Sequence, residues 1–325
     1  MKHKGCWPGI GALLGMLLLI LDGKTALLGG QDGVRLCLGS VIPSLFPFLI
    51  LSQIFLSWGG RIPGIQWVGK GFPISANARF LLLPAFLGGY PMGAKALAEA
   101  KKAGQISRQT AERMLAFCNN AGPAFLFGIA AAHFPYWWMG WALWAVQILS
   151  AWMTAWLFPA REPAERGTFQ TRPVTLAQAL PSAVSTMGVI CGWLVLFRIF
   201  TAICQRWFLW LFPEPVQVIF IGLLELTNGC FALDAIDSLP LRFTVCSAML
   251  AWGGICVAMQ TRSVTQGLSM RYYLYGKLVQ TGFSLLLCGC LFQGNIWLPV
   301  TLAAGLARML LSCGKRSGIL GKVGV

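Results

Sequence analysis

The chain has 325 residues, 57% of them hydrophobic and only 11% charged, with a formal net charge of +15. A soluble globular domain carries about 25% charged residues, so this composition excludes that class and indicates a polytopic membrane protein. Lys and Arg sit mainly in loops between apolar runs, as the positive-inside rule requires, which excludes nucleic acid as the partner of the basic excess.

The 11 Cys are scattered, mostly within apolar segments, where a thiol behaves as a small hydrophobe. Cys288-Gly-Cys290 is a lone CxC, and the two His, His3 and His133, have no companions at ligand spacing. No metal, no cofactor and no enzyme activity is expected from this inventory. The lipid bilayer is the first partner.

In chain order, Met1-Lys2-His3-Lys4 precedes an apolar run, Ile10–Leu21, read as a retained first span with a cytoplasmic N-terminus. Residues 23–39 are mixed and Gly-rich and read as an interfacial segment. Val41–Trp58 is the second span. A basic loop with Arg61, Lys70 and Arg79 follows on the inner side.

Phe80–Tyr90 enters the membrane as a half-helix, is turned by Gly88, Pro91 and Gly93, and returns through Ala94–Lys102. Ser107 is the predicted N-cap of a helix that runs inward to Phe117, unwinds over Asn119–Gly122 and restarts at Pro123, a residue suited to a first turn. Tyr136–Phe158 is a Trp-rich span, and the Arg-bearing segment 159–173 is a cytoplasmic linker.

The second half repeats the order. Thr175–Thr201 opens with Pro181-Ser182, as the second span opens with Pro43-Ser44. Val216–Leu224 runs into Glu225-Leu226-Thr227-Asn228-Gly229, and Cys230–Ile236 returns among Asp234 and Asp237. Leu241–Gln260 is a helix interrupted at Gly253-Gly254. Tyr272–Phe292 and Ile296–Leu311 are further spans, and Lys315, Arg316 and Lys322 mark a cytoplasmic C-terminus.

The expected fold is therefore an all-α polytopic membrane protein with two inverted repeats, each holding a re-entrant helical hairpin and a broken transmembrane helix. The divisions are 1–40, an N-terminal span and interfacial segment; 41–158, the first repeat; 159–173, the linker; 174–262, the second repeat; and 263–325, C-terminal spans and a basic tail. The inversion rests on charge, since the first hairpin emerges among Lys and Arg and the second among Asp and Glu.

Polar groups at membrane depth are costly and mark pathways. The candidate binding residues are Gly89, Tyr90, Asn119, Asn120, Gly122, Glu225, Thr227, Asn228 and Gln260. The plainer reading of each stays beside it. The Asn pair satisfies its own unwound backbone, Tyr90 is interfacial, Gln260 caps a helix end, and Glu225 is an external-loop carboxylate. Gly88, Pro91, Gly93, Pro123, Gly229, Gly253 and Gly254 shape the turns. Lys95 reads as a snorkelling lysine and Glu112 as a solvated first-turn acid.

The motifs PSLFPF (43–48), GGYPMGAKAL (88–97), AERMLAFCNNAGPAFLFG (111–128), GLLELTNG (222–229) and WGGICVAMQ (252–260) resemble those of the YlbJ-type sporulation integral membrane proteins, which carry the nucleoside recognition, or Gate, domain. The resemblance implies a substrate-translocating core, shared with concentrative nucleoside transporters and the membrane part of ferrous iron transporters, and a role in endospore formation. The function expected is a bacterial inner-membrane permease for a small polar, nucleoside-like solute. The alternatives are a non-transporting sporulation scaffold, assembled with itself or other sporulation membrane proteins, and a ferrous iron permease.

Overall fold

A computed structural model describes residues 7–58, 62, 64–161 and 173–293. The segment 162–172 of the expected linker, the expected span Ile296–Leu311 and both terminal basic stretches lie outside the described residues. What is described is helical, and four of its helices are long and apolar enough to cross a membrane.

Helix α1 (Trp7–Leu21) leads through Asp22 into α2 (Gly23–Leu36), a π-helical segment (Cys37–Val41) and α3 (Ile42–Trp58). Residues 23–58 thus form one continuous 36-residue helix, not an interfacial segment followed by a span. The glycines that suggested an interfacial segment serve close packing instead. A Cβ on Gly33 would lie 2.9 Å from the Val195 backbone, and one on Gly29 3.0 Å from that of Ile199, the close approach that small residues four apart permit in membranes. Pro43 and Pro47 remove donors from the helix. The π segment just before Pro43 absorbs the defect, and the Ser44 hydroxyl donates to the Ser40 carbonyl at 2.7 Å.

The first hairpin is built from a 3₁₀ segment (Ala76–Leu81), α4 (Leu82–Leu87) and α5 (Met92–Lys102), turning at Gly88–Pro91. Then come α6 (Arg108–Met114), capped by Ser107, whose side chain accepts from Thr110 N–H at 3.1 Å, and the break at 119–122. The helix restarts as α7 (Pro123–Phe125), with π and 3₁₀ turns carrying it to His133. Glu112 is not solvated. It accepts from Ser269 N–H at 2.9 Å and from Arg108 at 2.7 Å, and so pins α6 to a distant segment. Helix α8 (Trp138–Leu157) closes this half.

The same order recurs. Helix α9 (Leu176–Trp207) opens with a Thr175/Gln178 capping box. Helices α10 (Glu214–Leu224) and α11 (Leu226–Phe231) form a second hairpin turning at Glu225. Helices α12 (Leu239–Trp252) and α13 (Gly254–Val264) are one helix broken where Gly253 and Gly254 both take positive φ, 83° and 86°. The span α14 (Arg271–Gln293) follows.

Each hairpin turn packs on the break of its own half. A Cβ on Gly89 would lie 3.1 Å from the Gly122 nitrogen, and one on Gly254 3.1 Å from the Leu224 carbonyl oxygen. The halves then cross, because the Tyr90 ring touches Gly253 and its hydroxyl donates to the Leu250 carbonyl at 2.6 Å. Two turns and two breaks therefore converge in the middle of the molecule.

Candidate functional site

The convergence borders a cavity of about 60 Å³. Gly89, Tyr90, Gly122, Glu225, Thr227 and Gln260 line it, with Ser40, Ser44, Ile190 and Leu194 closing its sides. Room for water begins at roughly 10–15 Å³, so this space holds waters or a small polar group, not a drug-sized molecule.

Glu225 is the acid of the site. It is only 3% exposed, which sets aside an external-loop position. Its place follows from the hairpin: α10 ends at Leu224, the backbone extends at Glu225 (φ −145°, ψ 118°), and the carboxylate caps α11. Oε1 accepts from Thr227 N–H at 2.9 Å and Oε2 from Asn228 N–H at 2.7 Å, two donors that no other group at this depth would satisfy. The side chain is structural and also faces the cavity.

Tyr90 is buried rather than interfacial. Gln260, also buried, presents its side chain to the cavity wall and donates to Cys256 Sγ at 3.4 Å.

Three sequence candidates do not line the cavity. Asn119 donates to Thr261 Oγ1 at 2.8 Å, and Asn120 donates to the Phe117 carbonyl at 2.7 Å. Their amides hold the unwound segment against α13 and close its own carbonyls, as the membrane interior requires. Gln147 of α8 adds a donor to the Ala121 carbonyl at 3.0 Å. Asn228 turns away from the cavity and meets Arg198 of α9.

Lys95 is 6% exposed and does not snorkel. Its ammonium donates to Thr186 Oγ1 at 2.7 Å and Ser182 Oγ at 3.1 Å, with Glu99 at 3.6 Å.

The group that sequence reasoning missed is Lys277. It is fully buried in α14, and its partners are Gln280 Oε1 at 2.8 Å, Asn120 Oδ1 at 3.5 Å and the face of Tyr90, 5.3 Å from the ring centroid. Its polar contacts are amides, not carboxylates. The signal was present, since a lone lysine in the middle of an apolar span is a functional flag by default. Arg198, inside the apolar run of α9, carried the same signal.

No family model matches the chain, and no solved structure does. Among curated proteins it is similar to the sporulation integral membrane protein YlbJ of Bacillus subtilis (strain 168), 24% identical over 319 aligned residues that cover 83% of this chain and 77% of that protein. The match takes in most of the chain, and the hairpins and breaks carry the motifs on which the resemblance stands. Over most of its length the chain is similar to a YlbJ-type sporulation integral membrane protein.

Proposed function

We propose that the chain is a permease for a small polar solute, not an enzyme, and that the central cavity is its binding site. The observation that carries this reading is the meeting of two hairpin turns and two helix breaks around one buried carboxylate. Interrupted helices at membrane depth expose backbone donors and acceptors where a solute can use them, and repeats that rock against each other open such a site to one side at a time. In the conformation described, the site has room for only about 60 Å³, so a larger solute fits only when a hairpin withdraws. The opposite charge around the two hairpins supports an inverted arrangement with the basic loops in the cytoplasm. The similarity to a sporulation integral membrane protein supports a role in endospore formation.

The test is thermal shift of the purified protein in detergent against nucleosides, nucleobases, small anions and divalent metals, paired with uptake into proteoliposomes. A ligand of the folded state raises the melting temperature by mass action. One compound class that shifts the wild type, fails to shift Thr227→Val, and is taken up by vesicles supports the permease. No shift and no uptake with any compound, in protein shown to be folded, overturns it in favour of a membrane scaffold.

A further inference from the structure

Helix α9 borders several separate spaces; one, against α2, is lined by Val195 and Ile199, and three others follow one another along the helix. Gln178, near its N-terminus, lines a space of about 580 Å³ with Gln53 and Glu99. Ile190 and Leu194 line the central cavity. Arg198 and Thr201 line a third space of about 300 Å³ between α2, α9 and the second hairpin. Gln178, Ser182, Thr186, Ile190, Leu194 and Arg198 follow one another at four-residue intervals, so they form a single inclined ridge that winds about half-way around the helix. At 1.5 Å per residue that ridge is about 30 Å long, the thickness of the bilayer's hydrocarbon core.

Two polar ties interrupt the series, and each joins the ridge to a hairpin within about two turns of its tip. Between the first space and the central cavity, Lys95 of the first hairpin donates to Ser182 and Thr186, and buried Leu49, Met92 and Met187 fill the gap beside it. Between the central cavity and the third space, Asn228 of the second hairpin meets Arg198. On that side polar capacity is left over. Asn228 Nδ2 and Thr201 Oγ1 are buried without hydrogen-bond partners, in side chains only 4% and 2% exposed. Orphaned buried polar atoms beside a cavity are rare in a finished core and indicate a place that water or a polar solute visits.

We infer that the Gln178–Arg198 ridge is the fixed wall of the solute route, and that the Lys95–Ser182/Thr186 and Asn228–Arg198 contacts are its two closed gates. The inference rests on the permease reading and adds to it the path and the residues that close it. Each hairpin leaves α9 in turn, and the tie that breaks decides which side the central cavity faces.

Single cysteines at Gln178, Ile190, Leu194 and Thr201 on the ridge side, and at the outward-facing Val184 and Leu196, test it. The parent has Cys37 and Cys191 replaced by Ser. A membrane-impermeant cationic methanethiosulfonate is applied to sealed vesicles of either orientation, and each rate is read against that parent. Cysteine at 178 is expected to react from one side only and cysteine at 201 from the other, with 190 and 194 slow from both. Lys95→Met is expected to raise the reaction at 190 from the Gln178 side about tenfold or more, as loss of a hydrogen bond to a charged group predicts, and Asn228→Ala to do so from the Thr201 side.

Labelling of 178 and 201 from the same side, or rates at 190 indifferent to both gate variants, overturns the inference. So does reaction at 184 or 196 as fast as on the ridge. Melting temperatures of the variants show that they fold. Uptake in the same vesicles separates the two readings. A labelled ridge without uptake keeps the route and removes the solute, whereas uptake with an unlabelled ridge removes the route.

Discussion

The backbones of Gly89 and Gly122 touch: a Cβ built on Gly122 would lie 2.8 Å from the Gly89 nitrogen and 3.1 Å from the Leu87 carbonyl oxygen. The first hairpin turn and the first helix break are thereby seated directly on each other. Gly122 has φ −78°, a conformation open to any residue, so its identity is set by space alone.

Gly122→Ala is therefore expected to lower stability by about 1–3 kcal/mol, the usual cost of overpacking against atoms that cannot move aside. Gly188→Ala on α9 is the control. Nothing lies within 4 Å of its added methyl, and a helical Gly→Ala exchange gains up to about 1 kcal/mol. Melting temperatures in detergent decide. Equal shifts for the two variants would mean that the turn and the break are not closely packed.

Glu225 joins two roles that substitution can separate. Glu225→Ala removes both acceptors of the α11 cap and is expected to cost about 2 kcal/mol, the upper end for a lost N-cap. Glu225→Gln keeps one acceptor oxygen and is expected to cost about half as much. Loss of uptake in Glu225→Gln with a near-normal melting temperature would assign the negative charge to transport. Retained uptake would leave the side chain as a cap only.

The punctuation of the fold was legible in the sequence because it is local. Gly88–Pro91, Asn119–Pro123 and Gly253-Gly254 break helices through their own backbone preferences, and Ser107 caps through its own hydroxyl. What was not legible depends on partners distant in the chain. The glycines of 23–36 read as an interfacial segment because nothing local shows that a Cβ on Gly29 would meet the α9 backbone at 3.0 Å. Asn120 reads as a cavity amide until Gln280, 160 residues on, donates to its oxygen at 2.8 Å. Lys95 reads as a snorkelling side chain until Ser182 and Thr186 are seen beside it.

Asp22, outside the spans, gives a pH prediction. Trp207 Nε1 donates to its Oδ2 at 2.9 Å and Arg206 lies 3.1 Å away, joining the α1–α2 corner to the end of α9. The Trp207 hydrogen bond, aided by Arg206, holds the carboxyl below its usual 3.8. A lowered folded-state value stabilises the fold at pH above the ordinary aspartate range, and that contribution fades as pH falls through and below it. The melting-temperature gap between wild type and Trp207→Phe should be present at pH 7 and shrink below about pH 4. A gap constant across that range would show that Trp207 acts through packing alone.

Lys277 supplies the sharpest separation of stability from function. A buried ammonium must recover its hydration from its partners, and here they are two amide oxygens and one ring face, with no carboxylate among its contacts. Met fills nearly the same volume without the charge. Replacing a buried ion with an apolar side chain of similar size is often neutral or stabilising by about 1–4 kcal/mol. Lys277→Met leaves Gln280 donating to Asn120, so the break keeps its main tie, and one amide oxygen loses its donor at about 1–3 kcal/mol. These terms nearly cancel, so the melting temperature should move little. If the charge serves transport rather than the fold, stability and uptake part company in this variant. Uptake in Lys277→Met vesicles should then fall well below wild type while the protein stays folded. A variant that melts much earlier, with uptake per folded molecule unchanged, would make Lys277 a structural clamp on Asn120.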